Sequence, residues 1–271
     1  MLEVNRIHQG DCLILMKDIP DKSVDMILCD LPYGMTALIW DSIIPLDKLW
    51  VEYRRIAKDD CAIVLTASQP FTSLLVTSAL DLFKHEWIWE KQKASNFMSF
   101  KYQPAKYHEN ILVFCKGKIK YFPIMWQVAE ELRDKRKNVN NVINPKESHY
   151  GFMEVKIRKA DDGSRYPKSI LKINKSINKN VHPTEKPILL FEYLIKTYSK
   201  EGNLVLDNCI GSGTTAIACI NTKRNFIGIE LRQDFVDICN KRIMEVKSGC
   251  DANDDGIPPN NKLLGILPNE L

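Results

Sequence analysis

An apolar run, Val24–Cys29, leads directly into the pentapeptide DLPYG at residues 30–34. A run of this length and composition predicts a buried parallel strand. Open α/β sheets bind their ligands at the carboxyl ends of such strands, so Asp30 lies where chemistry is expected. Pro32 keeps Leu31 extended, which lets the Leu31 carbonyl lie beside the Asp30 carboxylate. Two neighbouring acceptors suit an NH2 group, although Asp and Pro also end strands in ordinary turns.

Other apolar segments alternate between the periods of strands and helices. Strand-like runs occur at residues 4–8, 61–66, 87–90, 109–115, 204–207 and 225–229. Helices are predicted from Pro45, over residues 70–81, after Pro187, and over residues 214–222 and 232–247. The last of these is expected to bury Phe235, Ile238, Cys239, Ile243 and Val246. Strands separated by helices predict an α/β fold with a mostly parallel sheet and helices on both faces.

Composition limits the class of protein. With 271 residues and 45% apolar content, the chain can bury a full core as one large domain, with or without an insert. No segment reaches the roughly 20 apolar residues of a membrane span. The amino terminus lacks the regions of a signal peptide, so we expect a soluble, cytoplasmic protein. Eight cysteines without a Cys-x-x-Cys pair favour free thiols over disulfides or zinc.

Positive charge is concentrated in one segment. Residues 116–186 contain 17 Lys or Arg against 8 Asp or Glu, a net charge of +9, while the whole chain carries +4. A local positive field of this kind suits a polyanion such as a nucleic acid. The alternative interpretation is a solvated lysine-rich surface.

A glycine turn follows the predicted strand at residues 204–207. Gly211 and Gly213 allow a ligand to approach the backbone closely, and the helix after them supplies N–H donors and a positive dipole. Glu230 ends the next predicted strand, where its carboxylate can accept hydrogen bonds from ribose hydroxyls. These features predict a nucleoside site. Together with Ala216, they also satisfy a loose dinucleotide fingerprint, so an NAD-dependent oxidoreductase is the rival hypothesis.

Three segments together resemble one enzyme family. Residues 30–34 resemble the (D/N/S)PP(Y/F) motif of amino-methyltransferases, with Leu31 in place of the usual first Pro. Residues 204–215 resemble the S-adenosylmethionine (SAM) loop of these enzymes, with Asn208 and Cys209 in place of the usual Pro and Phe. The hexapeptide at residues 182–187 (HPTEKP) resembles a segment that packs against SAM. With the catalytic motif first and the cofactor loop last, residues 4–247 resemble the permuted β group of DNA N6-adenine/N4-cytosine methyltransferases.

The resemblance implies a fold, a cofactor and a set of site residues. The fold is a doubly wound, mostly parallel, seven-stranded Rossmann-like sheet in circularly permuted order with an inserted target-recognition region, and the cofactor is SAM. The implied catalytic residues are Asp30, Leu31, Pro32 and Tyr33. The implied cofactor-binding residues are Asp11, Lys186, Pro187, Asp207, Gly211, Ser212, Gly213, Thr214 and Glu230. Substrate contacts are predicted for His108, Lys135, Arg136 and Lys137, and no metal is needed. Asp11 is equally suited to cap the helix that follows it.

The resemblance also implies a reaction. Asp30 and the Leu31 carbonyl accept the two N–H bonds of an exocyclic amine, and Tyr33 stacks on the flipped base. Cytosine-C5 enzymes use a Cys that typically follows Pro, and no Pro-Cys pair occurs here. Adenine N6 is favoured over cytosine N4, because Asp in the first motif position is commoner among the N6 enzymes. RNA and protein acceptors stay open as alternatives.

We expect one methyltransferase domain over residues 1–247. It comprises a catalytic half at 4–115, a target-recognition insert at 116–180 and a SAM-binding half at 181–247, and a flexible tail follows at 248–271. The expected partner is double-stranded DNA and not a membrane, while a restriction partner and a homodimer are left open. Between the strands at 87–90 and 109–115, aromatic residues next to lysines predict contacts to a displaced base and its phosphates.

Overall fold

The computed structural model describes residues 1–35, 41–130, 133, 162–174 and 185–249. Within these ranges, no helix is long and apolar enough to cross a membrane. The chain forms two compact units, one of residues 1–122 with 169–271 and the other of residues 123–168. The first unit carries the sheet and the described site residues.

The strands of the first unit are β1 (Arg6–Gln9), β2 (Val24–Cys29), β3 (Ala57–Ala67), β4 (Phe83–Glu90), β5 (His108–Phe114), β8 (Ile170–Lys172), β9 (Leu204–Asp207) and β10 (Asn225–Glu230). They form one eight-stranded sheet in the order β1-β10-β9-β2-β3-β5-β4-β8. Neighbours from β1 to β3 are parallel, whereas β5 runs antiparallel to both β3 and β4. The predicted α/β fold class with a mostly parallel sheet is therefore confirmed.

The sheet has one strand more than the predicted seven. Residues Ile170–Lys172 add a short edge strand, β8, parallel to β4. Ile170 is half exposed there, so the segment lacks the apolar run that marks the central strands. By contrast, all six residues of β2 are buried, including Asp25, the one charged residue in its otherwise apolar sequence.

Helices cover the sheet and connect its parallel strands. They are α1 (Cys12–Leu15), α2 (Leu46–Ile56), α3 (Phe71–Ser78), α4 (Ile188–Tyr198), α5 (Thr214–Asn221) and α6 (Gln233–Lys247). In α6, Cys239 and Ile243 are buried as predicted, but Ile238 is 44% exposed and Val236 is buried instead. The spacing of positions 236, 239 and 243 places these three residues on one helical face.

Strands β9 and β2 are neighbours in the sheet, and the chain continues from them toward opposite sides of the sheet. From β9 it passes through α5 to β10, and from β2 it passes through α2 to β3 on the other side. The two strands pair directly, with Met26 opposite Val205 and Ile27 opposite Leu206. Such a switch point opens a crevice at the carboxyl ends of the strands, where α/β sheets bind their ligands.

The second unit contains a short two-stranded sheet. Strand β6 (Trp126–Gln127) pairs antiparallel with β7 (Ser164–Arg165). The Trp126 indole donates to the Tyr166 carbonyl at 3.0 Å, and the Lys168 ammonium lies 5.7 Å from the indole ring centroid. Lys135, Arg136 and Lys137, the predicted phosphate contacts, lie outside the described residues.

Candidate active site

The Asp30 carboxylate follows β2 and is held by three side chains, two of which come from distant parts of the sequence. One carboxylate oxygen accepts hydrogen bonds from the Thr66 hydroxyl and from the Tyr33 hydroxyl, the latter at 2.8 Å. The other oxygen accepts from the Lys186 ammonium at 2.7 Å. A carboxylate has about four lone-pair sites, so three donors leave one acceptor position open. The side chain is also 33% exposed, so a ligand can reach it.

Lys186 belongs to a buried network of alternating charge. Its ammonium also lies 3.3 Å from one Glu109 oxygen, and the other Glu109 oxygen accepts from Lys91 at 2.9 Å. Burial opposes the charge on Lys186, but Asp30 and Glu109 outweigh it, so the pKa of Lys186 is raised above its ordinary value. The network therefore balances two carboxylates with two ammonium groups beside the crevice. The sequence predicted Lys186 as a cofactor contact, whereas the structure pairs it with Asp30.

Tyr33 is anchored at its hydroxyl and packed along its ring. The ring stacks on Phe71 with centroids 5.3 Å apart. Burial, followed by the neighbouring Asp30 charge, holds the pKa of Tyr33 well above its ordinary value, so the hydroxyl stays a donor. The turn after Tyr33 is fixed by Asp41, which accepts from the Gly34 and Met35 backbone N–H groups, each at 2.9 Å.

Leu31 and Pro32 complete the motif. The Leu31 side chain is 3% exposed and packs into the core. Within the part of the chain that the structure describes, no donor bonds to the Leu31 carbonyl. The Leu31 oxygen is therefore not engaged by another described residue, which is compatible with its predicted role as an acceptor beside Asp30.

The cofactor side of the crevice is built from the ends of β1, β9 and β10. The Glu230 carboxylate accepts from the backbone N–H groups of Gly211 at 2.9 Å and Arg232 at 3.0 Å, which ties the glycine turn to β10. Asp11 is exposed after β1 and caps α1 by accepting from the Leu13 N–H at 2.7 Å. Both carboxylates keep free lone pairs, because Asp11 accepts one of these bonds and each Glu230 oxygen accepts one.

The surroundings of the two glycines in the turn differ. Both have positive φ, +54° at Gly211 and +92° at Gly213. A Cβ on Gly211 would meet open space, whereas a Cβ on Gly213 would overlap the Cys239 sulfur of α6. Gly211 thus leaves room for a ligand, while Gly213 is required by the packing of α6 on the turn.

Asp207 supports the turn from inside the protein. Its side chain is 2% exposed, and it accepts from the Thr215 hydroxyl and, at 3.0 Å, from the Cys209 N–H. Burial raises the pKa of Asp207 to about 7. With both oxygens used inside the core, Asp207 positions the loop and does not present a free carboxylate to the crevice.

Glu185 joins the segment before α4 to the glycine turn. One of its oxygens accepts from the Thr214 hydroxyl at 2.8 Å and lies 2.7 Å from the Arg242 guanidinium. Arg242 also donates to the Ser212 carbonyl at 2.7 Å. The second Glu185 oxygen is buried without a hydrogen-bond partner among the described residues. A buried carboxylate oxygen left in this state fits a positively charged ligand group.

The structure brings most of the predicted residues to one sheet edge. Asp11, Glu230, Asp207 with the glycine turn, and Asp30 follow four successive strands of the sheet. Pro187 precedes α4 and is buried, and His108 is exposed at the start of β5 on the same edge. Residues 36–40 and 175–184, which include the first three of the hexapeptide, lie outside the described residues.

Several functional neighbours were missed in the sequence. They are Thr66, Glu109, Lys91, Asp41, Glu185 and Arg242. Glu109 carried a signal, because it is a charged residue next to the apolar run of β5 at the predicted ligand edge. The contacts of Thr66, Glu185 and Arg242 join residues far apart in the sequence, which a single chain without relatives does not reveal. Asp41 instead bonds the nearby turn at Gly34 and Met35.

Known proteins match the chain over most of its length. The sequence model of a family described as DNA methylase matches residues 24–241. The type II methyltransferase M1.MboII of Moraxella bovis is 29% identical over 255 residues, which cover 89% of this chain and 96% of that protein.

Two solved structures show the same fold. The M1.HpyAVI–SAM complex is 25% identical, with a TM-score of 0.56 over 88% of this chain and 98% of that chain. The PvuII DNA methyltransferase, described as cytosine-N4-specific, is 14% identical, with a TM-score of 0.60 over 96% of this chain and 90% of that chain.

These matches support the methyltransferase interpretation and give no support to the oxidoreductase hypothesis. The activity is methyl transfer to an amine of DNA, and the cofactor is SAM. The family match covers the catalytic motif and the glycine turn, which meet at one sheet edge. On this evidence the chain belongs to the N6-adenine/N4-cytosine DNA methylase family.

Proposed function

We propose that this protein methylates the exocyclic N6 amine of adenine in double-stranded DNA. The observation that carries the proposal is the Asp30 carboxylate, which is held by three donors and still open to one more. The resemblance associates Asp at this position more often with N6 enzymes and Ser with N4 enzymes. The basic segment at residues 116–186 supports a duplex DNA substrate.

Asp30 and Leu31 orient the amine. The lone pair of an aromatic amine is delocalised into its ring, which makes the nitrogen a poor nucleophile. Hydrogen bonds from its two N–H groups to the Asp30 carboxylate and the Leu31 carbonyl favour a tetrahedral nitrogen with its lone pair directed away from these two acceptors. Bound SAM would supply an electrophilic methyl group on a sulfonium. The nitrogen gains the methyl carbon as the methyl–sulfur bond breaks, and the sulfur keeps that electron pair as a neutral thioether. The nitrogen also loses one proton, which Asp30 accepts and passes to solvent.

Lys186 positions the catalytic carboxylate. Its ammonium bonds one Asp30 oxygen and faces Glu109 on the other side. This contact holds the Asp30 carboxylate in one orientation, so that its free lone pair points into the crevice. Tyr33 and Thr66 fix the second oxygen. We keep the prediction that Tyr33 also stacks on the flipped base, and that His108 and the insert contact the substrate.

The residues on the other side of the crevice fit SAM. Glu230 and Asp11 supply acceptors for the ribose hydroxyls and the adenine amine, respectively, and Gly211 leaves space for the ligand. The unpaired Glu185 oxygen suits the ammonium of the methionine moiety. Three carboxylates, at positions 11, 185 and 230, accompany one arginine, Arg242, in this set. Such an excess of negative charge suits a sulfonium that also carries an ammonium group, and it disfavours an anionic dinucleotide.

The test of the proposal is the chemical identity of the product. Unmethylated genomic DNA is incubated with the protein and methyl-labelled SAM, digested to nucleosides and analysed by mass spectrometry. Label in N6-methyl-2′-deoxyadenosine is expected, and the Asp30→Ala variant should show almost none. Label in N4-methyl-2′-deoxycytidine would overturn the adenine assignment. Total RNA is incubated in parallel, and label in RNA without label in DNA would overturn the DNA substrate.

Cofactor binding is tested separately by calorimetric titration of SAM. Glu230→Ala should weaken SAM affinity by removing an acceptor and releasing the glycine turn. Gly211→Val should weaken it as well, because the side chain fills the open space at the turn. Unchanged affinity in both variants would contradict the proposed location of the cofactor.

A further inference from the structure

The connection between β4 and β5, residues 91–107, lies at the catalytic edge of the sheet. Strand β3 is parallel to β2, and β5 runs antiparallel to both β3 and β4. The end of β4 and the start of β5 are therefore at the same edge as Asp30. Strand β5 is two positions from β2 in the sheet, a separation of roughly 10 Å.

This connection exposes an unusual number of large apolar and aromatic side chains. Phe97 is 72% exposed, Met98 84% and Tyr102 89%. Phe100 and Tyr107 are about half exposed. A contiguous set of this kind on a folded protein indicates a binding surface.

The exposed side chains stand on an ordered support. The Asn96 side chain donates to the Pro104 carbonyl at 2.9 Å and accepts from the Lys106 N–H at 2.7 Å. At the base, the Lys91 N–H donates to the Tyr107 carbonyl at 2.7 Å, and the Lys106 ammonium bonds the Ser68 hydroxyl. Phe97 and Met98, which we call the tip, lie in the short turn that Asn96 begins.

The charge of the connection identifies its partner. Residues 91–107 contain four lysines and no acidic residue. Lys93 and Lys101 are exposed, and no carboxylate of the described residues forms an ion pair with either one. Exposed apolar and aromatic side chains next to unpaired lysines suit DNA as the partner. Its phosphates can bind the lysines, and its bases can stack on the rings.

We propose that the tip inserts into the DNA duplex beside the target base and fills the space that the base leaves when it flips out. The proposal rests on the DNA substrate of the proposed function. Flipping breaks base stacking, which costs free energy. Apolar side chains such as Phe and Met restore part of this stacking when they enter between base steps. The lysines beside the tip hold the flanking phosphates.

The test compares two DNA duplexes with one protein variant. The first duplex carries, in unmethylated form, a target site mapped by sequencing of DNA that the protein has methylated. The second duplex has the same site with an abasic position opposite the target base, so that flipping is already easy. The variant is Phe97→Ala/Met98→Ala. The matched control is Leu80→Ala, which truncates a leucine that is 66% exposed just before β4, at the opposite sheet edge.

On the paired duplex, the single-turnover rate of the double variant should fall by about tenfold to a hundredfold, the range expected for lost stacking. On the abasic duplex it should return to within a few-fold of wild type, and Leu80→Ala should match wild type on both. An unchanged rate on the paired duplex, or an equal loss on both duplexes, would overturn the proposal. The proposal would also be overturned if the wild type were oligomeric and the double variant were not, because the tip would then contact another copy of the protein.

The result is separable from the adenine assignment. If the methylated base proves to be cytosine, the same comparison is made with cytosine as the target, because either amine must leave the duplex to react. A loss that is rescued by the abasic duplex would then support the tip while the N6 proposal fails.

Discussion

Asp30 and Glu230 follow strands of the same parallel sheet, but they are held in different ways. Asp30 is held by side chains, namely Thr66, Tyr33 and Lys186. Glu230 is held by the backbone N–H groups of Gly211 and Arg232. One carboxylate is thus part of an adjustable side-chain network, while the other is built into the backbone of a loop.

The two surroundings also differ in charge. The pocket around Asp30 balances Asp30 and Glu109 with Lys91 and Lys186. The cofactor side has more carboxylates than cations. A balanced pocket suits a neutral base, and an acidic one suits a cationic cofactor. The difference indicates that the two sides of the crevice can be impaired separately, which the following variants test.

The largest effect is expected for Asp30→Ala. Removing the acceptor of the target amine should lower the rate of methyl transfer by roughly a hundredfold or more. SAM affinity should stay within a few-fold of wild type, because Asp30 faces the acceptor. Single-turnover kinetics and calorimetry measure the two quantities. Retention of more than a tenth of the wild-type rate would show that Asp30 is not a catalytic residue.

Lys186→Met should produce the next largest loss of rate. Without the ammonium, the Asp30 and Glu109 carboxylates face each other unpaired, and Asp30 loses the contact that holds its orientation. The single-turnover rate should therefore fall by about tenfold or more. Lys186→Arg keeps the charge and should retain most of the rate. An unimpaired rate in Lys186→Met would show that the lysine does not position Asp30.

Asp207→Asn tests the buried support of the glycine turn through stability. Because the pKa of Asp207 is raised to about 7, the folded protein holds this proton from about pH 4 up to about pH 7, where the unfolded chain has lost it. The contribution of Asp207 to stability therefore falls as pH rises through this window, by about 1.4 kcal/mol per unit of the shift. As the pH rises from 4 to 7, the unfolding free energy of the wild type should therefore fall relative to that of Asp207→Asn. A constant difference would contradict the raised pKa.

The smallest effect is expected for Tyr33→Phe. The ring and its stacking on Phe71 are kept, and only the hydroxyl contacts to Asp30 and Thr66 are lost. A lost bond of this kind lowers the rate by about threefold to tenfold. Tyr33→Ala should cost clearly more if the ring also stacks on the base. Equal rates in the two variants would argue against the stacking role.

The parts of the fold that the sequence predicted are those with a strong local pattern. Strand β9 spans the predicted residues because Leu204–Asp207 is apolar and ends at an acid. Strand β8 was missed because Ile170–Lys172 is short and half exposed. In α6, Ile238 was placed on the wrong face because several apolar residues offered alternative helical faces.

The site was predicted in its position and less well in its internal contacts. The carboxyl ends of parallel strands brought Asp11, Asp30 and Glu230 to one edge without knowledge of their neighbours. Lys186 was assigned to the cofactor, since its motif gives no sign that it reaches Asp30, 156 positions earlier in the chain. Gly213 was expected to make room for a ligand, and only the packing of α6 shows that it makes room for Cys239.

The division of the crevice into two sides is tested most directly by one chemical change made on each side. Asp30→Asn and Glu230→Gln each replace a carboxylate oxygen that accepts a hydrogen bond with an NH2 group that cannot. For each variant, SAM affinity and the single-turnover rate at saturating SAM are measured on the same DNA. We expect Asp30→Asn to lose rate and keep SAM affinity, and Glu230→Gln to lose SAM affinity and keep most of its rate. Equal loss of SAM affinity in both variants, or an unimpaired rate in Asp30→Asn, would contradict the account.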